Sequence, residues 1–140
     1  MTDVQGVLVD SSVLLDIVTE DPQWFSWSAA ALSLWAERAP LYINVVIYAE
    51  VSIGFARIED VEAALSPDQF RRLPIPWEAG FLAGKAFVRY RQREGTRTLP
   101  LPDFFIGAHA LVAAFALLTR DPRRVRRYFP QVQLITPPTS

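Results

Sequence analysis

Four acidic residues stand in apolar surroundings, each at the edge of a short hydrophobic segment. They are Asp10 in Val-Leu-Val-Asp-Ser-Ser, Glu50 in Ile-Tyr-Ala-Glu-Val, Asp103 in Leu-Pro-Asp-Phe-Phe-Ile-Gly-Ala and Asp121 in Leu-Leu-Thr-Arg-Asp-Pro. A carboxylate withdrawn from water must be paired, coordinated or neutralised. Four of them point to an oxygen-rich site for a hard divalent cation, Mg2+ or Mn2+. Such a site suits hydrolysis of a phosphodiester, with a water made acidic by the ion and aimed in line at phosphorus. That chemistry requires neither a catalytic histidine nor a covalent nucleophile. His109, the only histidine, falls about 240° around a helix from Asp103 and is expected to pack rather than ligate. Ser12 has no base partner, and no glycine-rich phosphate loop is present.

Arginines flank two of the acids. Arg120, Arg123, Arg124, Arg126 and Arg127 surround and follow Asp121, while Arg89, Arg91, Arg93 and Arg97 precede Asp103. They read either as solvated helix faces or as contacts to a nucleic-acid backbone, with Arg120, Arg123 and Arg124 best placed for phosphate. A net charge of −1 excludes a bulk polycation that coats nucleic acid. The absence of cysteine excludes disulfides and thiolate zinc sites, in keeping with a reducing cytoplasm. The longest apolar stretch, 104–118, is shorter than the ~20 residues of a membrane-spanning helix. A soluble, cytoplasmic protein is expected.

The elements that must position the acids follow from periodicity and punctuation. At 140 residues the chain is expected to form a single domain. Val7 to Val9 reads as a buried strand ending at Asp10, with Ser11 or Ser12 capping a helix through Val18. Asp21-Pro22 predicts an N-cap and first helical residue for a helix to about Ala39. Strands are predicted at 41–43, 73–76, 115–119 and 132–135. Helices are predicted from Asn44, which caps the one bearing Glu50, to about Arg57, and over 59–65 and 77–93. The last of these is closed by Gly95; another starts at Asp103, and a basic one covers 122–129. Alternating strands and helices imply an α/β fold around a mostly parallel sheet. Asp10 and Asp121 then fall at the carboxyl ends of strands, where open α/β sheets bind ligands. Ser12 and Thr119 lie two positions from Asp10 and Asp121 and project to the same side. Asp16 is expected at the surface or beside the site.

These motifs resemble the PIN-domain family, and within it the VapC toxins of toxin–antitoxin pairs. Val9 to Leu15 is similar to the family's opening hydrophobic-Asp-Ser segment, Tyr48 to Val51 to the second motif, Asp103 to Ala110 to the third and Leu118 to Pro122 to the fourth. Ser11 stands where threonine is commoner and Gly107 where alanine often is, departures expected to be harmless. The resemblance implies a three-layer α/β sandwich with Asp10, Glu50, Asp103 and Asp121 as catalytic metal ligands and with Ser12 and Thr119 as hydroxyls around them. It implies a Mg2+- or Mn2+-dependent endoribonuclease that cuts RNA loops, such as those of tRNA or rRNA, and is held in check by an antitoxin. A homodimer is also implied. The reading from another class is a catalytically silent RNA- or protein-binding module.

The helix after Pro22 carries a predicted core stripe of Phe25, Ala29, Leu32 and Ala36, beside a second apolar zone containing Trp24, Trp27, Ala31, Leu34 and Trp35. Trp24, Trp27 and Trp35 are candidate partner contacts, since aromatic residues dominate protein interfaces. The plainer reading places both zones in the core.

Overall fold

The computed structural model describes residues 4–94 and 100–138. Its elements run β1 (Val7–Val9), α1 (Ser11–Val18), α2 (Phe25–Ala36), β2 (Leu41–Ile43), α3 (Val45–Ser52), α4 (Ile58–Ala64) and β3 (Arg71–Arg72). They continue with α5 (Trp77–Glu94), α6 (Leu101–Ala113), β4 (Ala116–Leu118), α7 (Arg123–Tyr128) and β5 (Leu134–Ile135). Gly95 and Arg97 lie outside the described residues.

Every strand pair is parallel, and the order across the sheet is β3-β2-β1-β4-β5. Such pairing needs crossovers, which the helices supply. β1 is the middle strand and all three of its residues are fully buried. That explains why it reads as an unbroken branched apolar run rather than an alternating one. The first half of the chain builds outward from β1 through β2 to β3, and the second half returns to β1's other side. The order therefore reverses between β1 and β4, creating a switch point at their carboxyl ends. Val9 pairs with Leu118, and the Asp10 amide donates to the Leu118 carbonyl at 2.9 Å. Register alone thus brings Asp10 beside Thr119.

Several element boundaries differ from the sequence expectation, each for a local reason. The predicted edge strand at 73–76 is instead the exposed pair Arg71–Arg72, with Leu73 adding one more bond to Ile43. Pro74 has no N–H, so the ladder ends there. Pro22 does not begin α2. Asp21 Oδ1 accepts from the amides of Gln23 and Trp24, closing a turn before the helix starts at Phe25. The hydroxyls of Ser11 and Ser12 do not cap α1 either, because both point into the candidate site.

α2 is also rotated relative to the predicted stripe. Ser28 and Leu32 face inward, Trp27, Ala31 and Trp35 pack against the core, and Phe25 is 38% exposed. Ser28 sets this phase by donating to buried Asp16 of α1 at 2.8 Å.

Gly107, expected to be a harmless departure, is a close-packing position. A Cβ built there would lie 2.7 Å from the ring of Phe129, itself buried in the core. Overpacking costs roughly 1–3 kcal/mol, against a gain of up to about 1 kcal/mol in helix propensity. Gly107→Ala is therefore expected to lower stability by about 1 kcal/mol. A urea midpoint at or above that of the wild type would show that Phe129 yields freely.

Candidate active site

Asp10 sits one residue past β1, half-buried, where the chain turns into α1. Its Oδ2 accepts from Ser12 Oγ at 2.7 Å and from Thr119 Oγ1 at 2.8 Å. Burial raises its pKa above the ordinary carboxylate value; the two hydroxyls oppose this and the charge of Asp103 adds to it. Glu50 projects from α3 and accepts from Ser11 Oγ at 2.7 Å. Its pKa is also raised, first by burial and then by the charges of Asp10 and Asp103, against the Ser11 bond. The three carboxylates thus feel one another, and an added cation would relieve both the burial cost and the repulsion.

Asp103 lies in the first turn of α6, where a carboxylate also favours the helix N-terminus. Asp121 follows β4 and is exposed, with its amide donating to Thr119 Oγ1 at 3.1 Å. One cleft is lined by Asp10, Asp103, Thr119, Asp121 and Arg124. The structure therefore brings Asp10, Asp103 and Asp121 to one place, with Glu50 near enough to Asp10 and Asp103 to raise its pKa.

The donor chemistry fits a hard cation, since every group offered is a carboxylate or hydroxyl oxygen. The geometry is not preformed. Among the described residues, no three acidic or histidine side chains are close enough to cage a metal ion as they stand. Asp103 is instead engaged by Arg124, whose Nη1 donates to its Oδ2 at 2.9 Å. Burial works against the Arg124 charge more than any one contact favours it, but the bond to Asp103, the charge of Asp103 and Tyr90 together raise the guanidinium pKa.

The arginines divide by partner. Arg123 reaches Asp121 Oδ1 at 3.4 Å and is 86% exposed. Glu94, Asp103, Asp121, Arg123, Arg127 and Tyr128 are among the residues lining a second cavity of about 280 Å³ next to the cleft. Arg120, expected to face phosphate, instead sends Nε and Nη2 to the two oxygens of Asp16, each at 2.9 Å. Asp16, expected at the surface or beside the site, is 2% exposed. A signal was available: Asp16 is three positions from Val13 and adjoins Ile17, so it lies on the apolar face of α1. Ser11, expected as a cap, holds Glu50 instead.

The candidate partner residues sit on the first helical hairpin. Trp27 and Trp35 pack against the core, and Trp24 is half-buried beneath the Arg120 guanidinium, 5.6 Å from its ring centroid.

His109 packs, as expected, and is 1% exposed. Asn44 caps α3 by accepting from the Ile47 amide at 2.9 Å, which leaves its Nδ2 to donate to His109 Nδ1 at 2.9 Å. His109 must then be neutral with its proton on Nε2, and burial lowers its pKa. The unfolded chain takes up this proton below about pH 6.5 and the folded chain resists it, so stability falls as pH drops below that value. The wild type is expected to lose stability faster than His109→Phe between about pH 6.5 and 5, at up to roughly 1.4 kcal/mol per pH unit. Parallel slopes in urea unfolding would show that His109 is protonated without penalty.

The PIN domain family model matches residues 7–130. No curated protein sequence gives a significant match. Among solved structures, the chain is similar to one in VapBC2 from Rickettsia felis bound to a DNA fragment from its promoter. The TM-score is 0.72 at 16% identity, covering 94% of this chain and 98% of that one. It is also similar to a chain of FitAcB from Neisseria gonorrhoeae, with TM-score 0.65, 20% identity and 92% and 96% of the two chains covered. A chain of a toxin–antitoxin complex from Klebsiella pneumoniae gives TM-score 0.63 and 21% identity, with 93% and 96% covered. At such identities the likeness to these structures is one of fold. With the family model spanning β1 to the end of α7, the chain belongs to the PIN-domain family.

Proposed function

We propose that the chain is a Mg2+- or Mn2+-dependent endoribonuclease, the toxin of a toxin–antitoxin pair. The observation that carries this reading is the convergence of Asp10, Asp103 and Asp121 on one cleft at the β1/β4 switch point, with Glu50 coupled to two of them. A binding module has no need of mutually repelling carboxylates. Asp10, Glu50, Asp103 and Asp121 would hold the ion. When bound, it supplies a Lewis acid for the phosphodiester and makes a water acidic enough to attack at neutral pH.

The chain's own residues do the rest. Ser12 and Thr119 orient the Asp10 carboxylate, and Ser11 orients that of Glu50. Arg123 and Arg124, beside the cleft, receive the phosphates of an RNA strand. Single-stranded loops, such as those of tRNA or rRNA, can be splayed into so open a site, whereas duplex RNA cannot.

The antitoxin is placed on the α1–α2 hairpin, with Trp24, Trp27 and Trp35 as its anchors. Phe25 and Leu34, 38% and 46% exposed beside them, extend an apolar surface there. Toxin–antitoxin complexes among the similar folds support a protein partner of this kind. A homodimer is supported by the stripe of Trp77, Phe81 and Val88 along α5, all more than half exposed. Among the described residues, no helix is long and apolar enough to cross a membrane, and a cytoplasmic location belongs to the same reading.

Chelation tests the reading directly. Purified protein with Mn2+ is expected to cleave a structured RNA and leave 5′-phosphate ends, and EDTA to abolish cleavage. The melting temperature should remain well above room temperature after chelation, because the core is complete without the ion. Cleavage that survives chelation would remove the metal from the mechanism. No cleavage of any loop-bearing RNA would favour the silent binding module, and unfolding on chelation would make the ion structural.

A further inference from the structure

A charged residue buried in α1 has to be explained by what it holds. Asp16 is 2% exposed and accepts three bonds: two from the Arg120 guanidinium at 2.9 Å and one from Ser28 at 2.8 Å. A buried ion pair is weak evidence for stability, since an apolar pair of similar volume often does as well. Its location is more telling. Arg120 lies between Thr119, which donates to Asp10, and Asp121, which lines the same cleft.

Each of these three residues carries a bond that fixes the loop. Thr119 Oγ1 donates to Asp10 at 2.8 Å, the Arg120 amide donates to Ser12 Oγ at 3.2 Å, and the Asp121 amide donates to Thr119 Oγ1 at 3.1 Å. Those bonds are made by the short hydroxyls of Thr119, which is buried, and Ser12, which is half-buried. The Arg120 fork is the long-armed anchor that ends on a buried group, since Arg123, which reaches Asp121, is 86% exposed. It fastens the loop to both helices of the first hairpin, through Asp16 on α1 and Ser28 on α2. Trp24 lies against the guanidinium at 5.6 Å, so the Arg120 side chain meets both Asp16 and Trp24 of this hairpin while its amide reaches Ser12.

We infer that Asp16 and Arg120 are positioning residues, whose ion pair holds the Thr119–Asp121 loop against Asp10 and so sets the geometry of the candidate active site. Neither touches the reacting atoms; both act through Thr119 and Asp121. Bidentate geometry is the reason arginine stands here, because lysine would keep the charge but lose the two-point hold.

Two arms test this, and only the second rests on the proposed nuclease activity. In the first, hydrogen exchange is followed in wild type, Asp16→Asn and Arg120→Lys. The amides of Arg120 and Asp121 are expected to exchange about tenfold faster in both variants, with buried amides of α6 unchanged. Unchanged protection at those two amides would overturn the inference, and so would uniform loss of protection across the fold, which would make the pair merely structural. In the second arm, RNA cleavage is measured. Each variant is expected to lose about 10- to 100-fold in kcat with KM within about twofold, and the double variant to be no worse than the poorer single. If Arg120 instead served as a charge on RNA, Arg120→Lys would keep its kcat and Asp16→Asn would leave kcat intact. Either result overturns the inference. A wild type that cleaves nothing would sink the nuclease reading alone, and the exchange arm would still decide this one.

Discussion

Asp10→Asn and Asp103→Asn are each expected to reduce RNA cleavage by on the order of 1000-fold while leaving the fold intact. An amide oxygen binds a hard cation less well than a carboxylate, and several kcal/mol of charge stabilisation are at stake, which converts to a rate factor of that size. The structure says why folding should survive. Burial already disfavours the charge of Asp10, and an amide oxygen can still accept from Ser12 and Thr119. Asp103 gives up its bond to Arg124, but the two side chains are 39% and 40% exposed, so the loss is screened and amounts to about 1 kcal/mol or less. Cleavage in Mn2+ should be compared with thermal melts of the same samples. Near-normal cleavage by both folded variants would rule out the carboxylate site.

The second large effect concerns RNA binding. Replacing Arg123 and Arg124 together by glutamine should weaken binding at low salt and flatten its salt dependence. Each phosphate contact to a single strand contributes about 0.7 to the slope of log K against log salt, so two lost contacts remove about 1.4. Both residues line the cavity beside Asp103 and Asp121, which is why charge lost there should count. Arg124 has a double role. It now bonds Asp103, so its removal also frees a carboxylate and should tighten Mn2+ binding to the apo protein. An unchanged salt slope would return both arginines to the solvated surface.

Much of the fold was legible because its signals are local. The branched apolar run at Val7–Val9, the Asn44 cap and the closely spaced strand–acid junctions each depend on a few neighbouring residues, and each appears where the sequence indicated. The acids were legible for a similar reason, since a carboxylate among apolar residues is conspicuous wherever it falls. The parallel order of the sheet followed from the alternation of strands and helices.

What sequence periodicity could not supply was the rotation of elements about their own axes. α2 offers apolar residues around much of its circumference, so the pattern admitted two stripes, and the Asp16–Ser28 bond chose between them. The same bond explains why Asp16 is buried, and its ionic partner Arg120 comes from a loop 104 positions away. Gly107 likewise carries no local sign of its close packing, which comes from Phe129, 22 positions along the chain. By itself, then, the sequence indicated most of the elements, the four candidate acids and two of the hydroxyls near them, Ser12 and Thr119, all consequences of short-range pattern. Tertiary structure alone decided which hydroxyl serves which carboxylate, which arginine is committed to a buried acid and which tryptophan faces the core. Those choices depend on the meeting of distant segments, where burial makes an unpaired polar group costly enough to fix one arrangement.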